Sequence, residues 1–390
     1  MVGVILRLIG IVVSIVTTGV AFSVSVAPSE LSNLCILWFA YPYLVIALAC
    51  WTVILFTTNN IKTGCACLIV LAINGSDALN VIGLRGVDKE EVAKKEGELR
   101  LLTYNVRYFA YNGEMKIEEM REKMADFIER TDADIVCLQE VPSKDYVAKY
   151  IKGRLSEVLG RYRYVEHFSS SNGGELLFSK YKTEATGYTE EKGIQAIDIT
   201  IGEREEKGEK GEGKLRVYNC HLASLGLSDE QINAVSVNEK IDTERRSLLR
   251  GTYERMMEAF RKREKEVDSL KGVVEKTEGD VIVCGDFNDT PISYTYWAIS
   301  HIKTGGGEKM TDRHESQQIG LHNTYRGKLP PLRIDFVFTN ESMKAERYRE
   351  YDLPYSDHRA VVVDFRMRGR SVRHVKSVGE KEREKQNVEL

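Results

Sequence analysis

Polar side chains that could carry out hydrolysis follow the ends of several apolar runs in this 390-residue sequence. In the clearest case a β-branched run, Val281–Cys284, leads into Gly285, Asp286 and Asn288, and a proline follows. The run predicts a buried strand, and the glycine and proline predict a turn at its carboxyl end. Open sheets build their sites at that end. The alternative is a plain Asx turn that caps the next helix, because Asp and Asn favour such turns.

Six further candidates lie at or near the ends of other apolar runs: Asn105, Glu140, His221, Asp335, Asp357 and His358. Each has an ordinary explanation by itself, and a single histidine is more often bonded to a backbone carbonyl in the core. Asp335 is harder to explain, because it lies inside the apolar run Leu332–Phe338. A buried carboxylate is costly unless it is paired. Asp335 therefore needs a cationic or donor partner, and a histidine would serve.

Together these residue types have the composition of a hydrolytic site that acts on phosphate. Carboxylates such as Glu140 and Asp357 suit Mg²⁺, which takes few protein ligands and keeps waters for the substrate. Histidines and asparagines can donate hydrogen bonds to phosphoryl oxygens, and Asp286 can orient and deprotonate an attacking water. The sequence contains no thiolate zinc cluster, no Gly-x-Ser-x-Gly elbow and no phosphate-binding P-loop.

Charge and cysteine content exclude some other classes. A net charge of −3 gives no general attraction to nucleic acid, so any polyanion binding must be local. Cys137, Cys220 and Cys284 each lie inside a strand-like run, which predicts small core residues rather than a disulfide framework. Cys65 and Cys67 have no second pair or nearby histidine, so they do not form a metal-type cluster.

The amino-terminal part of the chain is almost uncharged and contains three apolar runs: Val4–Val26, Leu34–Thr57 and Gly64–Leu84. The first two are long enough to supply the ~20 residues that a helix needs to cross a bilayer. A signal peptide is the alternative for the first run, but its length and the second run favour a retained span. The third run has a short apolar part and could be a third span, a re-entrant segment or a surface segment. Residues 1–86 are thus predicted to be a membrane region with two or three transmembrane helices.

The basic residues leave the orientation of this region open. Arg7 and Lys62 favour an internal amino terminus, which with three spans would place the rest of the chain outside. Arg85, Lys89 and Lys94 follow the last run and favour the opposite orientation. A multi-pass location in the cell membrane is predicted, with the side of the remaining chain undecided.

After a charged linker at 87–98, strand-like and helical runs alternate over residues 99–368, and a charged tail occupies 369–390. Helical periodicity predicts helices over Ile117–Arg130 and Glu239–Thr277. The charged, glycine-containing segment Glu203–Lys214 is predicted to be a solvated hairpin loop. Strands are predicted over the apolar runs Leu99–Asn105, Ala133–Gln139, Leu176–Ser179, Gln195–Ile201, Leu215–Cys220, Leu332–Phe338 and Tyr355–Phe365.

Six short motifs resemble, in order, the endonuclease/exonuclease/phosphatase superfamily: Thr103–Val106, Leu138–Val141, Asn219–Leu222, Gly285–Pro291, Arg333–Phe336 and Ser356–Arg359. Six motifs in order are a strong signal, whereas one would be weak. The resemblance implies an α/β (α+β), DNase I-like four-layer sandwich. In that fold two packed mixed β-sheets are flanked by helices, and here the sandwich would follow the N-terminal transmembrane helices.

The resemblance also implies a role for each candidate. The metal site would contain Mg²⁺, with Mn²⁺ as a possible substitute, held chiefly by Glu140 with Asn105 beside it and Asp357 in support. Asp286 would activate water, and Asn288 would position that water and the phosphate. His358, kept cationic by Asp335, would contact the scissile phosphate, and His221 would be a second phosphate donor.

The sequence therefore predicts a membrane-anchored, Mg²⁺-dependent phosphoester hydrolase, in which a metal-activated water attacks a phosphate. The alternative is a catalytically decayed, membrane-tethered binding or scaffold protein on the same fold. The substrate could be nucleic acid, a phospholipid headgroup or an inositol phosphate. The context of His221 is similar to the nuclease and sphingomyelinase branches. The lipid bilayer is the other predicted partner, and no obligate protein partner is evident.

Overall fold

The computed structural model describes residues 1–84, 93–109, 115–143, 149–170, 173–189, 193–206, 209–235, 243–316, 319–327 and 331–367. The predicted charged tail and the first half of the predicted linker lie outside these residues.

The amino-terminal residues form a group of helices. They are α1 (Val2–Ser23), α2 (Pro28–Leu31), a 3₁₀ turn (Ser32–Leu34), α3 (Leu37–Thr57), α4 (Ile61–Ile73) and α5 (Gly75–Val81). Helices α1 and α3 are long and apolar enough to cross a membrane. Helices α4 and α5 meet at a bend of 64° and pass the same test only as a pair. The third apolar run of the sequence is thus a broken helix, with Asn74 at its break.

Two six-stranded mixed sheets form the rest of the described chain. The first has the order β13-β14-β2-β3-β5-β4, and the second has the order β10-β12-β9-β8-β7-β6. Only β2–β3 and β8–β9 are parallel pairs among the described strands. The first sheet contains β2 (Leu99–Asn105), β3 (Ile135–Val141), β4 (Tyr164–Ser170), β5 (Gly173–Ser179), β13 (Met343–Tyr351) and β14 (Ala360–Met367). The second contains β6 (Lys182–Thr189), β7 (Ile194–Glu206), β8 (Glu209–His221), β9 (Asp280–Asp286), β10 (Thr311–Asp312) and β12 (Asp335–Thr339).

The sheets pack face to face, and helices cover their outer faces. Alternate residues of one strand point to opposite faces, so Leu101 packs between the sheets while Leu102 packs under α6 (Ile117–Thr131) and α7 (Arg154–Leu159). The second sheet is covered by α9 (Thr243–Val274) and α10 (Tyr294–Ser300). The short helix α8 (Asp229–Val235) precedes α9. The predicted sandwich of two mixed sheets flanked by helices is confirmed, and Cys137, Cys220 and Cys284 are buried and free.

Some predicted elements differ from the structure. The described residues of the segment Glu203–Lys214 are not a loop, because β7 and β8 continue as a paired ribbon to Glu206 and Glu209, while residues 207–208 lie outside the described residues. Alternation of charged residues with glycine still permits backbone pairing. Strand β12 begins at Asp335 rather than Leu332, because the N–H groups of Ile334 and Asp335 donate to Thr324 Oγ1 instead.

The amino-terminal helices pack directly against the sandwich. The ring of Trp38 in α3 lies edge-on to Phe260 in α9, with centroids 5.7 Å apart. Ser29 donates from its N–H and Oγ to Glu264 at 2.8 and 2.7 Å. A two-stranded sheet joins β1 (Ile82–Gly83) to β11 (Gly320–Leu321). One interface therefore connects the apolar helices to the helix-covered side of the second sheet.

Candidate active site

Strand register brings the polar residues of the second sheet to one edge. His221 at the end of β8 is opposite Asp286 at the end of β9, and Asp286 is opposite Asp335 at the start of β12. In the first sheet, Asn105 ends β2 beside Gln139 of β3, and Glu140 is the next residue. Because the sheets pack face to face, these two edges meet and the residues come together in one cluster, of which Glu140 lines a surface pocket.

A glycine is required at position 285 for this register. Its φ is +131°, and a Cβ there would lie 2.0 Å from the Cys220 carbonyl oxygen. Strands β8 and β9 can therefore approach closely enough to pair His221 with Asp286 only if Gly285 has no side chain. The Asx turn is also present, since the Asn288 N–H donates to Asp286 Oδ1 at 2.9 Å. The turn positions the Asp286 carboxylate, and it is compatible with a chemical role for that carboxylate.

Asn105 connects the two carboxylates at the centre of the cluster. Its Nδ2 donates to Glu140 Oε1 at 3.1 Å and to Asp286 Oδ2 at 2.9 Å. His221 Nε2 lies 3.7 Å from Glu140 Oε1. Burial raises the pKa of Asp286, with the Asp335 charge adding to the rise and the His358 and His221 charges opposing it. A carboxylate with a raised pKa is a stronger base for a water proton.

His358 is held as a cation by two buried carboxylates. Its Nδ1 lies 3.0 Å from Asp335 Oδ2, and its Nε2 lies 3.6 Å from Asp286 Oδ2. Burial alone would lower the pKa of His358, but the charges of Asp335 and Asp286 outweigh it and raise the pKa to about 10. The imidazolium therefore persists at neutral pH, as a donor to a phosphoryl oxygen requires. His358 is thus the cationic partner that the buried carboxylate of Asp335 requires.

Two predicted site residues are placed less centrally. Asn288 lines the pocket, but its Nδ2 donates to the Leu222 carbonyl at 2.9 Å. Asp357 lines the same pocket of about 190 Å³ and pairs with Arg107 Nη1 at 3.1 Å. It belongs to neither of the two clusters of His, Asp and Glu ligand atoms that the described residues form. The turn residue Asp289 instead pairs with Arg263 at 3.2 Å.

The central cluster suits a divalent cation. Ligand atoms of Glu140, His221 and Asp286 all lie within 4.8 Å of one another. Two carboxylates this close repel each other unless a cation lies between them. His221 Nε2 is buried and has no hydrogen-bond partner among the described residues. Glu140 has a left-handed φ of +51°, a strained conformation typical of functional positions.

Asn105 is not yet arranged as an oxygen ligand. Its Oδ1 accepts from the Arg107 N–H at 3.0 Å, and its Nδ2 faces the carboxylates. In this arrangement Asn105 positions Glu140 and Asp286, and ligation by its oxygen requires rotation of the amide.

Arg107 and Tyr325 are polar pocket residues that the sequence-based set does not contain. Arg107 lines the pocket, and its side chain is half-exposed. The guanidinium, which pairs with Asp357, can therefore also contact a phosphate in the pocket. Tyr325 also lines the pocket, and its ring lies 5.3 Å from the His358 ring, edge-on. For Arg107, the sequence signal was its position two residues after Asn105, which placed it close to a predicted site residue. No periodic pattern marks Tyr325.

A network of buried amides supports the site from below. Gln139 Nε2 donates to Asn219 Oδ1 at 2.7 Å and to Thr103 Oγ1 at 3.0 Å. Asn219 Nδ2 donates to Gln195 Oε1 at 3.1 Å. Because Gln139 belongs to the first sheet and Asn219 to the second, the network fixes the two sheet edges relative to each other.

Glu266 of α9 supports the loop after His221 and gives the protein a predictable pH dependence. Its Oε2 accepts from the Ala223 N–H at 2.8 Å. Burial raises its pKa from 4.5 to about 7, against the hydrogen bond and nearby cations. A raised carboxyl pKa contributes stability below pH 4.5 that is lost as pH rises through about 7. We expect Glu266→Gln to remove this pH-dependent loss of folding stability, which is at most about 3 kcal/mol.

The measurement is the unfolding midpoint of both proteins from pH 4 to pH 8. The wild-type midpoint should fall across this window more than that of Glu266→Gln. Glu258→Gln, at an exposed position on the same helix, should retain the wild-type profile. Identical profiles for Glu266→Gln and the wild type would show that Glu266 ionises normally.

A two-sheet sandwich that gathers carboxylates, amides and histidines at one edge defines the class of DNase I-like phosphoesterases. The family model of the Endonuclease/Exonuclease/phosphatase family matches residues 102–358. The chain belongs to this family. Among curated proteins, none matches the chain.

Solved structures are similar to the chain at low identity. The human Nocturnin catalytic domain with bound sulfate is 18% identical, covering 70% of this chain and 96% of that one, with a TM-score of 0.44. A Bacteroides vulgatus endonuclease/exonuclease/phosphatase is 17% identical, covering 69% and 99%, with a TM-score of 0.42. ANGEL2, a 2′,3′-cyclic phosphatase, is 12% identical, covering 71% and 99%, with a TM-score of 0.44.

Proposed function

We propose that this protein is a membrane-anchored, Mg²⁺-dependent hydrolase of phosphoesters, with phosphodiesters as its principal substrates. The observation that carries the proposal is the cluster of Glu140, His221 and Asp286 beside the His358–Asp335 pair. It combines oxygen ligands, a base and two histidine donors in one cluster, as in-line attack on phosphorus requires.

A divalent cation at Glu140, with Asn105 and Asp357 in support, would neutralise charge on the phosphate oxygens. Asp286 orients a water through Oδ2 and accepts its proton as the water oxygen bonds to phosphorus. The P–O bond to the leaving alcohol breaks, and that oxygen keeps the electron pair and takes a proton from solvent. His358 and His221 donate hydrogen bonds to the phosphoryl oxygens, and Asn288 lies beside the attacking water.

Helices α1 and α3 support membrane anchoring. Both are long and apolar, and many of their large apolar side chains face outward, including Ile5, Leu8, Ile15, Val53 and Ile54. Such a surface is unfavourable in water and suits lipid. The end of α1 and the start of α3 lie on the side of the sandwich, where Trp38 Nε1 donates to Ser23 Oγ at 2.9 Å. Residue Gly3 lies beside Asn60 at the opposite end.

The test is turnover of bis(p-nitrophenyl) phosphate by the full-length protein in detergent. We expect release of p-nitrophenol with Mg²⁺ or Mn²⁺, loss of release with a chelator, and recovery when the metal is restored. Absence of turnover with both metals would contradict the proposal and favour a binding or scaffold role for the same fold.

A further inference from the structure

A cavity of about 650 Å³ lies between the amino-terminal helices and the sandwich. The start of α3 supplies one wall with Trp38, Pro42 and Tyr43, and α9 supplies another with Leu249 and Met256. This volume is within the range of pockets that bind small molecules. The cavity lies outside the catalytic cluster, and no step of the hydrolysis uses it.

The lining of this cavity suits hydrocarbon. Among the described residues that line it, the basic side chains are His322 and Arg333. Burial lowers the pKa of His322 to about 4, so the imidazole is neutral at pH 7. Arg333 Nη1 pairs with Asp312 at 2.7 Å, and its guanidinium lies over the ring of Phe336 at 4.6 Å. The charge of Arg333 is therefore already balanced within the protein, and apolar surface dominates the remaining lining.

The cavity adjoins the catalytic pocket. Five residues line both spaces: Phe39, Leu225, Leu227, Ile232 and Leu332. The catalytic pocket is also lined by Glu140, Asn288 and His358. The two adjoining spaces thus offer a polar site, where a phosphate can react, next to an apolar site of larger volume. This arrangement matches an amphiphile with a phosphate near one end.

The position of the cavity indicates where that amphiphile comes from. Helix α3 begins at Leu37 beside the cavity and then runs away from the sandwich for 21 residues. If α3 crosses a membrane, the cavity lies where the helix leaves the lipid. A hydrocarbon chain could then enter from the bilayer without crossing water, which is costly for every exposed methylene.

We propose that the substrate is a lipid phosphoester whose phosphate reacts at the Glu140–Asp286–His358 site and whose hydrocarbon chain occupies the α3–α9 cavity. This inference rests on the proposed function and adds the substrate class. Water attacks phosphorus as described above, the P–O bond to one alcohol breaks, and the chain-bearing group stays in the cavity until release.

The test uses two soluble phosphodiesters with the same leaving group, methyl and octyl p-nitrophenyl phosphate. The full-length protein is held in an amphipathic polymer without added lipid. Each methylene buried from water is worth roughly fourfold in kcat/KM. We expect kcat/KM for the octyl ester to exceed that for the methyl ester by at least about a hundredfold, because the burial of only three or four methylenes is enough for this ratio.

Variants that change the cavity volume test whether the cavity causes this preference for the octyl ester. Leu249→Trp fills the cavity and should lower the octyl-to-methyl ratio by about tenfold or more. Val273→Trp, exposed on the same helix and outside both spaces, should retain the wild-type ratio. If Leu249→Trp does not fold, Leu249→Ala enlarges the cavity and should shift the preference from octyl to dodecyl chains.

Equal kcat/KM for the two esters would overturn the lipid inference while the proposed function stands. So would an octyl-to-methyl ratio unaffected by Leu249→Trp, or, where that variant does not fold, an octyl-to-dodecyl preference unaffected by Leu249→Ala. Faster hydrolysis of an oligonucleotide or an inositol phosphate than of the octyl ester would also overturn the lipid inference and leave the proposed function standing. Failure to hydrolyse either ester with Mg²⁺ or Mn²⁺ would overturn both proposals.

Discussion

Asp286→Asn should lower kcat on bis(p-nitrophenyl) phosphate by about 10²–10⁴-fold, the usual contribution of a general base. The amide retains the size of the carboxylate and an oxygen for the Asn288 N–H, but it cannot accept a proton from water. The variant should stay folded, because the substitution removes a buried charge whose desolvation already raises the pKa of Asp286. The measurement is kcat at saturating Mg²⁺ together with the unfolding midpoint.

The matched control is Asp198→Asn. Asp198 lies on β7 of the same sheet and pairs with Arg216 outside the pocket. Loss of that pair should cost some stability and leave kcat near the wild-type value. If Asp286→Asn and Asp198→Asn had equal kcat, Asp286 would not be the base.

Glu140→Gln should raise the Mg²⁺ concentration needed for half-maximal activity by more than about tenfold, the loss typical of groups that only support a ligand. A neutral amide is a weaker ligand than a carboxylate, and the substitution removes a negative charge that lies within 4.8 Å of the ligand atoms of His221 and Asp286. Stability without metal should change little, because Asn105 Nδ2 can still donate to the amide oxygen. The increase in unfolding midpoint on adding Mg²⁺ should shrink accordingly.

Glu184→Gln on β6 makes the same change of charge at an exposed position outside the pocket. It should leave both the metal requirement and the metal-induced stabilisation intact. A Glu140→Gln protein that unfolds more easily without metal, yet responds to Mg²⁺ like the wild type, would make Glu140 a structural residue.

The clustering of the central residues could be predicted from sequence because each lies in or directly after an apolar run. His221, Asp286 and Asp335 lie at the ends of strands that the second sheet pairs in register, so local patterns were sufficient to bring them together. The buried position of Asp335 also predicted its histidine partner. Asp357 was harder to place, because its pairing with Arg107 depends on the turn after β2.

Other features depend on contacts that no local pattern shows. The turn containing Arg107 and Tyr108 has left-handed φ values of +42° and +59°, which non-glycine sequences rarely indicate. Strand β13 escaped prediction because charged residues such as Lys344, Arg347 and Arg349 interrupt its apolar pattern at the sheet edge. The α3–α9 cavity joins segments more than two hundred residues apart in the chain, so only the folded structure reveals it.

The most direct measurement of the central claim is the fate of water oxygen during turnover. The full-length protein hydrolyses bis(p-nitrophenyl) phosphate with Mg²⁺ in water labelled with heavy oxygen, and the phosphate product is analysed by mass spectrometry. Attack of an activated water on phosphorus predicts one labelled oxygen in each p-nitrophenyl phosphate formed. Unlabelled phosphate product, with the heavy oxygen in p-nitrophenol, would place the attack on carbon and contradict the account.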